Sequence, residues 1–167
     1  IAPNRVEFQR TVSVAGCSYS HVIQLRGWMD DDLGGVCWLS VDNPAQSPRI
    51  PIFAGATQLP SAFNLCGQKH YDERAILWQF RKANKLATVA WQAVRGMFNK
   101  VLNEQEDKAF DGMRRIEEDV RIQHRQGKPT AETTRMLNGY TAEVYNSHLY
   151  AWNQLEQKLW MRFGMGF

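Results

Sequence analysis

The sequence predicts an α+β chain in which antiparallel strands come first and three long helices follow. Three observations predict it. Residues 19–25 alternate with period two, residues 36–41 are apolar almost throughout, and near residue 70 the hydrophobic period changes to that of helices and keeps it to about residue 161. The change divides the chain into a strand-rich part over 1–70 and a helical part over 71–167.

Glu7 to Val14 alternates weakly and reads as a first strand. Tyr19 to Leu25 alternates better, with Tyr19, His21, Ile23 and Leu25 on one face and Ser20, Val22 and Gln24 on the other. "VCWLSV", Val36 to Val41, is expected to be covered on both faces. Arg49 to Phe53 is a short strand, and Pro51 places it at an edge or a bulge, since proline has no N–H for a ladder. Asp30, Asp31 and Asp32 before Gly34 and Gly35 mark a charged hairpin tip, and Asn43-Pro44 and Gly55 mark further turns.

Asp72 is the expected N-cap of a first helix from Glu73 to about Val101, with Ile76, Phe80, Ala83, Leu86 or Ala87, Ala90, Val94, Met97 and Val101 inward. A second helix is expected from about Glu104 to Gln126, with Phe110, Met113, Ile116 and Val120 inward, ended by Gly127, Lys128 and Pro129. Thr130 is expected to cap a third helix to about Met161, whose stripe runs through Met136 or Leu137, Tyr140, Val144, Ser147 or His148, Ala151, Leu155 and Leu159. These stripes read as core, and the charge runs "NEQEDK" and "RRIEEDVR" as solvated faces.

Hydrophobic residues make up 44% of the 167 and charged residues 22%, an ordinary soluble composition with room for a core. No apolar run approaches the roughly 20 residues of a membrane span. The net charge of +3 is spread along the helices and mixed with acids, which argues against a nucleic-acid partner. The chain opens on Ile1 with no basic, apolar leader, and so reads either as a processed chain or as a piece of a longer polypeptide.

The stretch "CSYSH" concentrates chemistry. In an extended strand Cys17 and His21 share a face but lie roughly 13 Å apart, too far to form a dyad. Ser20 and His21 point to opposite sides. His21 is expected to be a satisfied core histidine, and Cys17, Cys37 and Cys66 buried reduced thiols. Cys66 and His70 lack the second ligand pair that a zinc site needs, and the aspartate triplet lacks the spacing of a calcium loop, so no metal and no cofactor is expected. Asp42, Asn43, Gln46 and Ser47 follow the apolar strand, at the kind of strand end where sites are built.

"SYSHVIQLR", "GGVCWLSVDNPAQSPRIPIFAG" and "LWQFRKANKLA" together resemble the dipeptidase A type of cysteine peptidase, a family that includes the secernins and belongs to the N-terminal-nucleophile hydrolases. The similarity runs from about Thr11 to Ala93. The resemblance implies an αββα sandwich of which this chain is the C-terminal part. It implies hydrolysis of dipeptide amide bonds by a cysteine at the mature N-terminus, with the freed α-amino group as base. Ile1 has no nucleophile and Cys17 is internal, so no catalytic residue is expected in this segment, which alone should be inactive. Ser18, Ser20, His21 and Asn43 are the pocket-lining candidates. The implied partners are the upstream portion of the same polypeptide, a dipeptide substrate and a second copy of the chain. The compartment, a bacterial cytoplasm or cell envelope, stays open. The alternative reading is a non-enzymatic interaction module in which the helices present an amphipathic face.

Overall fold

The computed structural model describes residues 11–14 and 16–165. Three strands form one antiparallel sheet in the order β1-β2-β3: β1 is Tyr19–Leu25, β2 is Gly35–Val41 and β3 is Ile50–Phe53. β1 and β2 form a hairpin in which Tyr19 opposes Val41 and Leu25 opposes Gly35. Its tip holds a short helical turn, α1, Asp31–Gly34. Pro51 sits opposite Trp38 on the edge strand β3, where its missing N–H costs no ladder bond, as the sequence requires. Of the weakly alternating segment, residues 7–10 lie outside the described residues, and residues 11–14 form no strand.

The helices differ in their bounds from the periodicity reading. α2 is Ile76–Ala87, a short 3-10 turn covers Thr88–Ala90, and α3 runs unbroken over Trp91–Arg125. The expected break near Leu102 is absent, and the real one falls at 88–90, where Ala90 leaves the helical region with φ −147°. Neither proline nor glycine marks that break, so the sequence carries no local signal for it. Asp72 is not a helix cap. Its carboxylate accepts the backbone N–H and the guanidinium of Arg74, which hold it down to about 2. α4 spans Thr130–Gly164, with Thr130 as its first helical residue rather than its cap, and Pro129 before it. The link from α3 is the one expected: Gly127 takes φ +66°, a left-handed conformation that glycine adopts without penalty.

The helices cover one face of the sheet. Val36, Trp38 and Phe53 are buried there against Ala109, Met113 and Val120 of α3 and Leu137, Tyr140 and Val144 of α4. A second cluster joins Val41 and Ile50 to Ile76 and Phe80 of α2, Phe98 of α3 and Trp152 of α4. Phe110, expected inward, is 42% exposed, although its ring still meets Trp38 at 4.6 Å.

The other face is open over Cys37, Leu39 and Ile52, so the cover expected there is not supplied by the described residues. Along β2 burial alternates, and Cys37 and Leu39 are only half-buried on the side where Ile52 of β3 is also half-buried. On β1 the set expected to face the core does the opposite. Tyr19, His21, Ile23 and Leu25 are all exposed, with Ile23 at 54% and Leu25 at 78%. The physical reason is the period of two: β1 pairs with β2 so that Ser20, Val22 and Gln24 share the face of Ser40, Trp38 and Val36. The more apolar face of β1 therefore points away from the helices.

Candidate functional site

The end of β2 carries the most organised polar cluster. Asp42 follows the strand with φ +64°, the only non-glycine residue in that region among those described. Asparagine and aspartate are the side chains that best tolerate it. Its backbone N–H donates to the Ser18 carbonyl at 2.8 Å, continuing the β1–β2 ladder into the turn. Its side chain is buried, 1% exposed, and both oxygens are engaged. Oδ1 accepts from Arg81 Nε at 2.6 Å, and Oδ2 from Asn84 Nδ2 at 3.0 Å.

Helical geometry places these two partners. Arg81 and Asn84 stand three apart on α2 and so project from one face toward the strand end. Arg81 also donates from Nη2 to the Cys17 carbonyl at 3.0 Å, and its guanidinium lies 5.6 Å from the Trp78 ring centroid. Asn84 Nδ2 also donates to Ser47 Oγ at 2.7 Å, and Asn84 Oδ1 accepts from Trp152 Nε1 at 3.0 Å. Ser40 Oγ donates to the Ser47 carbonyl at 3.1 Å. The buried charge is thus paired and hydrogen-bonded on every side, the condition under which a buried carboxylate is tolerated. Sheet, α2 and α4 meet at this one network.

Asn43 shapes the adjoining turn. Its Oδ1 accepts from the Ser13 hydroxyl and from the Ala45 backbone N–H, and its Nδ2 donates to Gln46 Oε1 at 3.1 Å. Of the four pocket candidates, Ser18 and Asn43 come together here. Ser20 and His21 do not join them. They are neighbours on β1 that point to opposite faces, and His21 is exposed and stacked on Tyr19 with ring centroids 6.3 Å apart. His21 is therefore not the satisfied core histidine that its neighbours suggested.

No cysteine is fully buried, which corrects the reading of all three as core thiols. Cys66 is exposed and Cys17 and Cys37 are intermediate; all three are free. Cys17 Sγ donates to the Tyr19 carbonyl at 3.2 Å, and partial burial pushes the Cys37 thiol above its usual range. His70 offers its carbonyl to Trp78 Nε1 at 3.1 Å.

Three further features were not singled out as sites by the sequence reading. Asp30, Asp32 and His124 bring ligand-type atoms within 4.8 Å of one another at the hairpin tip. Both ring nitrogens face carboxylates, so the set is that of an imidazolium between two acids. His148, 1% exposed between the helices and the sheet, lies 3.2 Å from the Arg49 carbonyl through Nε2, and burial pushes it down to about 4. A surface cavity of about 660 Å³ opens beside α2 and α4, with both of its basic side chains engaged, Arg74 by Asp72 and Lys82 by Glu156. Arg81 and Asn84, the partners of Asp42, were not singled out by the sequence reading.

A family model, Peptidase family C69, matches residues 2–104. The match takes in the whole sheet, Asp42 with its partners Arg81 and Asn84, and α2, and ends within α3. The curated proteins searched contain no match to the chain. With more than half of its residues matched, and with the segments that carry the dipeptidase A resemblance inside the match, the chain belongs to peptidase family C69.

Proposed function

We propose that this chain is the C-terminal part of a dipeptidase that hydrolyses dipeptide amide bonds with a cysteine nucleophile supplied upstream. The observation that carries the reading is the open apolar face of the sheet. Ile23, Leu25, Cys37, Leu39 and Ile52 leave on that side a surface a closed domain would cover. A second sheet laid on it, from another part of the same polypeptide, would complete the αββα sandwich implied by the resemblance. On the opposite face the helices spend much of their apolar stripe against Val36, Trp38 and Phe53, which counts against an independent interaction module.

The chemistry inside this chain supports the same division of labour. An amide-cleaving thiol needs a base within hydrogen-bond reach. Cys17 Sγ instead meets a backbone carbonyl, and Cys37 is held protonated. The nucleophile, with its own α-amino group as base, would come from the upstream part. Ser18 and Asn43, at the end where β1 and β2 meet, and His21, on the open face, are positioned to border a dipeptide between the two layers. Ser20 faces the helix side and would act only through the strand.

The test is to assay dipeptide hydrolysis by this chain alone and by the chain together with its upstream portion. Hydrolysis that appears only in the combination, and disappears when the N-terminal cysteine becomes alanine, supports the reading. Hydrolysis by this chain unaided, or an inert full-length protein with a free N-terminal cysteine, overturns it.

A further inference from the structure

The hairpin joining β1 to β2 is held to α3 at two points. Near its base Arg26 donates from Nη1 to Glu117 Oε1 at 2.6 Å and from Nη2 to the Leu33 carbonyl at 2.6 Å. At its tip His124 Nδ1 lies 2.9 Å from Asp30 Oδ2, and Nε2 lies 3.1 Å from Asp32 Oδ2. Glu117 and His124 are seven residues apart, two turns, and so share one face of α3, with buried Val120 between them.

The two attachments differ in chemistry. A guanidinium keeps its charge at any physiological pH. An imidazole does not. Only its protonated form has two N–H groups, one for each carboxylate. The neutral ring satisfies one carboxylate and turns a lone pair toward the other. Asp32 has nowhere to go, because its backbone carbonyl accepts from Gly55 N at 3.0 Å and its Cα and Cβ lie directly against Gly55. Asp30 is exposed and free to swing away.

We infer that Asp30, Asp32 and His124 form a proton-operated latch. It holds the Asp30 end of the hairpin tip on α3 when the ring is charged and frees that end when the ring is neutral, while Asp32 against Gly55, buried Leu33 and the Arg26–Glu117 pair keep the rest attached.

The surrounding charges leave the ring to these two acids. Asp31 between them is exposed. On α3 the neighbouring Arg125 is paired with Glu118 at 2.8 Å, Arg121 lies one turn back, and Lys128 follows the helix. The loop after β3 meets Asp32 through Gly55 and carries no charge over 54–59. The hydrogen bond to Asp30 is the largest influence on the ring and raises its midpoint above the ordinary 6.5; burial opposes this more weakly. The position in the last turn of α3 favours the cation as well. The sign follows. The latch is fully closed below about pH 6.5 and opens as pH rises through the elevated midpoint. The tip whose Asp30 end it frees connects β1, the strand with the open face, to β2.

The test is an NMR titration of the His124 ring in the whole chain, with amide exchange at Leu33 and Gly34, whose N–H groups donate to the Asp30 carbonyl at 2.9 and 2.7 Å. After correction for the intrinsic pH dependence of exchange, protection there is expected to fall about tenfold for each unit by which the midpoint exceeds 6.5, with the β2–β3 amides unchanged. Asp30→Asn, at an exposed position, should lower the midpoint and flatten the profile. A midpoint at or below 6.5, or protection that stays level through the titration, overturns the latch.

Discussion

Arg81 Nε donates to Asp42 Oδ1 at 2.6 Å, and this bond fixes α2 against the residue at which the central strand ends. Asp42 is 1% exposed and holds φ +64°, so side-chain pairing and backbone conformation constrain the same residue. Removing either side of the pair leaves a buried or nearly buried charge alone.

Asp42→Ala is therefore expected to destabilise the chain by about 3–5 kcal/mol, the cost of breaking a buried pair by deleting one partner. The Asp42→Asn variant keeps tolerance of the left-handed backbone and one acceptor, and should cost clearly less. Urea unfolding of the two variants checks this; equal losses would mean that pairing is not what Asp42 contributes.

Gly55→Ala should be destabilising by about 1–3 kcal/mol, the range for overpacking. A Cβ at that position would meet Asp32 Cβ at 2.5 Å and Leu137 Cδ1 at 2.9 Å, and neither the hairpin tip nor α4 can retreat without unpacking. Gly139→Ala offers a control, since a Cβ there has open space. The glycine-to-alanine change in that helix should be neutral or stabilising by thermal unfolding.

His148 should make the chain sensitive to acid. Its folded midpoint is pushed down to about 4 by burial, against an ordinary value of about 6.5. The group binds its proton more readily when unfolded, so its share of stability is complete above pH 6.5 and is lost as pH falls toward 4. The full loss is roughly 3 kcal/mol. His148→Gln should remove that part of the acid dependence, read as the slope of unfolding free energy against pH between 6.5 and 4.

The open sheet face gives a further expectation. Ile23→Lys on the isolated chain should change stability by less than about 0.5 kcal/mol, because the side chain is exposed there. In the presence of the covering segment the same change should block association, measured by co-purification. Undiminished association would remove that face from the interface.

Much of the architecture was readable from residue order. The period of two over Tyr19–Leu25, the apolar run at 36–41, proline on an edge strand and the glycine after α3 each act within a few residues, and each appears where the pattern placed it. The break at 88–90 was not readable, because no proline or glycine stands there. Ser18 and Asn43 were drawn together by the strand ends, whereas Ser20 and His21 were separated by the pleat.

By itself the sequence determined the α+β class, the hairpin and its family, since local periodicity and spaced motifs need no knowledge of distant contacts. Which face of the sheet the helices cover, and which residues 40 to 90 positions apart share a charge, was decided by tertiary structure alone. Asp42 meets Arg81, and His124 meets Asp30, only after helices and strands have docked. Docking is set by the burial of apolar area, which has no direction along the chain, so polar partners brought together as its consequence leave almost no mark in the order of residues.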